Sequence, residues 1–144
     1  MTHADAGHYA RKHGPDAVAD PVIREALLKR AVAGKLPCAV AFEVVKRLNV
    51  SPAAVGRTAD LMELRLVKCQ LGLFGHARPK GIAEPAASVT LLLEKAIRQA
   101  LVNDRLPCEI AWKIAETFRI HKREVGAACD ALGIKIRPCQ LGAF

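Results

Sequence analysis

One stretch of the chain occurs twice, and that duplication limits the fold more than any other feature. Leu36-Pro37-Cys38, Val55-Gly56, Asp60 and Cys69-Gln70-Leu71-Gly72 with Phe74 return seventy residues later as Leu106-Pro107-Cys108, Val125-Gly126, Asp130 and Cys139-Gln140-Leu141-Gly142 with Phe144. The spacing holds without a gap, as it does in a duplicated structural unit. A repeat of about 55 residues is marginal as a lone core, so the copies are expected to pack together or to lean on a partner.

Within each copy the apolar period is helical at first. Asp20-Pro21 forms a helix start, with Ile23, Ala26, Leu27 and Ala31 on one face and Gly34 as a left-handed terminator. The second copy offers Leu93, Ala96, Ile97 and Leu101, begun near Ser88 and closed near Asn103. Pro37 and Pro107 open a second helix with Val40, Ala41, Val44 and Leu48, or Ile110, Ala111, Ile114 and Phe118, inward. Val50-Ser51-Pro52 and Ile120-His121-Lys122 turn the chain into a third helix, whose inner face is Val55, Gly56, Ala59 and Met62, or Val125, Gly126, Cys129 and Leu132.

The period then drops to two. Leu64-Arg65-Leu66-Val67-Lys68 and Ile134-Lys135-Ile136-Arg137 alternate apolar with basic residues, as half-buried strands do. Gly133 is a natural terminator before the second strand; Glu63 in its place predicts a different or strained helix end. The glycines inside helix 3 cost near 1 kcal/mol relative to alanine, and a repeated cost implies a repeated reason, first of all close packing of helix 3 on helix 2 or helix 1, and otherwise close backbone approach to a ligand or partner.

The expected organisation is a flexible N-terminal tail over residues 1–19, a first repeat over 20–74, a linker over 75–87 and a second repeat over 88–144. His3, His8 and His13 recur at a spacing that suits neither helix-face ligand pairs nor a metal loop, so they read as tail chemistry. No apolar run is long enough to span a membrane and no signal-peptide core is present, which places the chain in the cytoplasm and away from membranes.

A net charge of +8 with a pI near 9.6 favours an anionic partner, nucleic acid first. Both repeats share the excess: residues 20–74 hold nine Lys/Arg against five Asp/Glu, and residues 88–144 hold nine against six.

A helix, a short extended step, two helices joined by a tight turn and then a strand resembles the winged helix-turn-helix superfamily. Val44 to Val55 carries the likeness, with Leu48 ending one helix, Val50 plugging the turn, Ser51 capping the next helix and Val55 packing it back. Ile114 to Val125 fits the same pattern. The resemblance implies a mainly α fold of two tandem winged-helix-like repeats, three helices and a short strand each, packed as a pseudo-dimer. It makes helix 3 the recognition helix, presenting Ser51, Ala53, Ala54, Arg57 and Thr58 in one copy and His121, Lys122, Arg123, Glu124 and Ala127 in the other. Lys46, Arg47, Arg119, Arg65, Lys68, Lys135 and Arg137 become backbone neutralisers, and double-stranded DNA the partner.

Two alternatives stand beside a DNA-binding transcriptional regulator. One is a protein-interaction or assembly module, or homodimer, that uses the same shape without DNA. The other is a thiol or metal sensor built on Cys38 with Cys69 and Cys108 with Cys139, a thiol pair within each copy. Against it, small cysteines are common in cores and none of these forms a Cys-x-x-Cys pair. Asp60 and Asp130 are expected to cap a turn or pair with a nearby Lys or Arg, with no His, Ser or second carboxylate in the pattern to suggest catalysis. No phosphate-binding loop, nucleophile elbow or paired acids are visible, so the sequence reads as a non-enzyme without a cofactor or bound metal.

Overall fold

The computed structural model describes residues 7–76, 86 and 88–144. The fold is mainly helical with small strands, and among the described residues it contains six α-helices. They are α1 (Pro21–Arg30), α2 (Cys38–Leu48), α3 (Pro52–Leu61), α4 (Leu91–Gln99), α5 (Cys108–Phe118) and α6 (Lys122–Ala131), with strands β1 (Lys35–Pro37), β2 (Arg65–Val67), β3 (Arg105–Leu106) and β4 (Lys135–Ile136). The first six residues, including His3, and most of the expected linker lie outside the described residues.

The chain divides into two compact units that do not coincide with its two repeats. Unit 1 takes Met1–Lys68 together with Gln140–Phe144, and unit 2 takes Cys69–Cys139. Each unit therefore receives its Gln-Leu-Gly segment from the other repeat. The repeated glycine records this arrangement. A Cβ on Gly56 would run into the Leu141 carbonyl within unit 1, and one on Gly126 into the Leu71 carbonyl within unit 2. The expected packing partner was helix 1 or 2; the backbone that needs the space is the exchanged segment.

Inside each unit, local chemistry explains the elements. Asp20 accepts from the Val22 and Ile23 amides and starts α1. Thr90, two residues after the expected Ser88, plays that part for α4 by accepting from the Leu93 amide. Gly34 does not cap α1. The helix ends at Arg30, and Ala33 and Gly34 form a two-residue turn with φ of 52° and 72° that pairs Val32 with Lys35. Asn103 and Asp104 repeat it with φ of 51° and 63°. Two consecutive left-handed residues match the twist of a tight hairpin, and Gly, Asn and Asp are the residues that reach that region most cheaply.

The chain then enters β1, which pairs parallel with β2 in the register Leu36 to Leu66; β3 pairs parallel with β4 in the register Leu106 to Ile136. These four side chains are buried, while Arg65 and Lys135 beside them point outward, as the period-two pattern requires. Between α2 and α3, Asn49 turns left-handed with φ of 52°, and Arg119 does so between α5 and α6 with φ of 53°.

Residues 7–19 are not the expected loose tail. Tyr9–His13 form a 3-10 helix in unit 1, and the Tyr9 side chain is only 3% exposed. The amides of Tyr9 and Ala10 donate to the Glu63 carboxylate, each at 2.9 Å. Glu63 itself has φ of 54°, close to the 70° of its counterpart Gly133. The helix end is thus the same in both units. The strain that sequence predicts at Glu63 is compensated by a side chain that holds this N-terminal strap.

Candidate nucleic-acid interface

The residues expected to meet DNA divide between the two units. In unit 1, Ser51 is exposed, but its Oγ accepts from the Ala54 amide at 3.1 Å and so caps α3. Thr58 is corrected outright: it is 3% exposed and its hydroxyl donates to the Ala54 carbonyl at 2.9 Å, out of reach of any duplex. The helical period put it one residue too near the outer face. Of the expected unit 1 recognition residues, Arg57 is the exposed cation. Lys46 and Arg47 are exposed at the end of α2, and Arg65 and Lys68 flank Leu66 along β2.

Unit 2 is different at the matching place. His121, Lys122 and Arg123 open α6, directly after the left-handed Arg119. Glu124 is directed backwards, accepting the His121 amide at 2.6 Å, which completes the helix start and keeps the carboxylate on the helix's own backbone. The Lys122 ammonium lies 4.4 Å from the centre of the Trp112 ring. The Arg123 guanidinium lies 3.1 Å from His76 Nδ1, and the other ring nitrogen of His76 lies 2.8 Å from the Cys69 carbonyl. Lys135 and Arg137 are exposed around β4, which follows the opposite, C-terminal end of α6.

Trp112 and His76 carry no sequence signal for this role. Trp112 stands where the first copy has Phe42 and looks like another helix residue. His76 falls in the expected linker, where no periodicity fixes its neighbours; only the closed Cys69–Phe74 turn brings it to α6.

The sites outside this interface resolve differently. Asp60 is 3% exposed and its Oδ2 meets His13 Nε2 at 2.7 Å and Lys12 Nζ at 3.0 Å. The expected Lys partner is present, and a His partner joins it from 47 residues upstream. Lys12 also donates to the Gly142 carbonyl at 3.0 Å, so one ammonium ties the strap, α3 and the exchanged segment within unit 1. Asp130, the counterpart of Asp60, is exposed.

The thiols follow the units rather than the repeats. Cys38 belongs to unit 1, whereas Cys69, Cys108, Cys129 and Cys139 belong to unit 2. Cys69 and Cys108 are both part of the buried core of unit 2. Burial pushes the Cys69 thiol up, and the neighbouring Cys139 adds to this against several backbone hydrogen bonds. Burial alone pushes Cys129 up to about 11. Such thiols resist ionisation, the step that redox sensing and metal capture both need. No group of three or more His, Cys, Asp or Glu side chains able to hold a metal occurs among the described residues. No helix there is long and apolar enough to cross a membrane.

Comparison of the chain with known protein families, with characterised proteins and with solved structures found no match.

Proposed function

We propose that the chain binds double-stranded DNA as a regulator-like protein, with the start of α6 as its leading contact. The observation that carries this reading is the His121-Lys122-Arg123 group at a helix start that follows a three-residue turn, with His121 and Arg123 exposed and Lys122 half-buried. Lys122 is steadied by an indole face and Arg123 by an imidazole, and neither neighbour neutralises the cation. A helix N-terminus adds its own partial positive charge and amide donors, the usual means of holding a phosphate oxygen. The winged helix-turn-helix resemblance supports the same use of α3 and α6, and a net charge of +8 supplies the long-range attraction. The test is anisotropy of a short mixed-sequence duplex against salt. Binding is expected at low salt and should weaken steeply between about 50 and 200 mM. Absence of binding at the low end contradicts the reading.

A second reading, a protein-interaction or assembly module, is favoured by one specific feature. Leu91 and Leu92 at the start of α4 are 84% and 73% exposed, unusual for leucines. It predicts concentration-dependent association in sedimentation experiments that Leu91→Ser with Leu92→Ser abolishes, while duplex binding is unaffected.

A further inference from the structure

We propose that His76 is a positioning residue for Arg123, fixing the guanidinium in the place from which α6 engages a DNA phosphate; this deepens the DNA-binding reading and rests on it. The chemistry of the two neighbours determines the state of the imidazole. A guanidinium has only donors, so the His76 Nδ1 at 3.1 Å from it must present a lone pair. A carbonyl oxygen only accepts, so the Nε2 at 2.8 Å from Cys69 must carry the proton. A single neutral tautomer satisfies both contacts, and the ring acts as a bridge from backbone to guanidinium.

The far end of that bridge is rigid. The Cys69 carbonyl also accepts from the Gly72 amide, and the Cys69 amide donates to the Phe74 carbonyl, closing a turn whose Leu71 is 1% exposed. Arg123 is itself exposed on the first turn of α6. An untethered arginine gives up much of its rotamer freedom when it binds, whereas one already held through a neutral acceptor gives up less and keeps its full charge. One Arg123 nitrogen is used by His76, and the fork retains further donors for a phosphate. Unit 1 has Ala53 at the position of Arg123, so the device belongs to unit 2 alone.

Duplex binding by the full chain separates positioning from charge. Arg123→Ala removes a cation, so it should weaken binding about tenfold and flatten the salt slope by about one phosphate contact. His76→Ala keeps the charge, so it should weaken binding about fivefold with the slope unchanged, and should have no effect in the Arg123→Ala background. His76→Gln, which offers both an acceptor and a donor, should recover most of the loss. Two results overturn the proposal: His76→Ala binding like wild type, or costing as much in the Arg123→Ala background, as damage to the fold would. Long-range nitrogen–proton NMR of the His76 ring tests the bridge without DNA; the Nε2–H tautomer is expected, and the Nδ1–H tautomer contradicts the pairing even if the duplex binds. Failure of the wild-type chain to bind at low salt removes the DNA reading and the role of His76 together.

Discussion

Units 1 and 2 are closed by the same geometry and finished differently on the outside. In both, a glycine inside the third helix admits a leucine carbonyl from the exchanged segment. Beyond that point unit 1 spends its polar residues on structure. Asp60 and Glu63 hold a strap through Lys12, His13 and two backbone amides, and Ser51 is occupied as a cap. Unit 2 has an exposed Asp130 and a glycine at those two acidic positions, and its cations gather at the opposite end of the helix. A duplicated scaffold preserves the contacts that close it, and the solvent-facing positions are where the two copies diverge in role.

The largest effect should come from the closure itself. Gly56→Ala or Gly126→Ala sets a methyl group against backbone, which cannot swing aside as a side chain can. Each should destabilise by about 3 kcal/mol in denaturant unfolding, exceeding the ~1 kcal/mol that alanine gains in a helix. Tolerance of either change would break the equivalence of the two closures. Next comes the strap. Asp60→Ala removes a buried acceptor from Lys12 and His13 and should cost about 2 kcal/mol, whereas Asp130→Ala should change stability by less than about 0.5 kcal/mol.

A smaller difference should emerge at high pH. The Cys129 thiol in the folded chain holds its proton up to about 11 against an ordinary 9.0, while Ala59 occupies that place in unit 1. The folded state therefore binds the proton more tightly. The associated stability is complete below about pH 9 and is lost as pH rises to about 11, amounting to about 1.4 kcal/mol by pH 10. Cys129→Ala should remove this part of the alkaline loss in unfolding curves recorded from pH 8 to about 10.5.

The helices, their inner faces and two of the four strands, β2 and β4, were legible in the sequence because each is written in a local period: Ile23 and Leu27 at helical spacing, Leu64 and Leu66 at strand spacing. The duplication also announced that Gly56 and Gly126 share a reason. What that reason is was not legible, because a repeat pattern is unchanged whether Leu71 closes its own copy or the other one. The parallel pairing of Leu36 with Leu66 is likewise a long-range fact. The strap escaped notice since only one of its residues, Tyr9, is both apolar and buried, and its hold depends on Glu63 and Asp60 fifty residues away. Of the candidate interface, the His121-Lys122-Arg123 cluster could be read directly, whereas Thr58 was misassigned by a single helical step and His76 was hidden in a stretch without periodicity.

The contrast between the units is tested most directly by duplex binding at low salt with two variants compared side by side. Lys122→Ala with Arg123→Ala should weaken binding by about tenfold or more, and Arg57→Ala, midway along α3, by less than about threefold. Equal losses from the two, or none from the unit 2 pair, would contradict the assignment of DNA contact to α6.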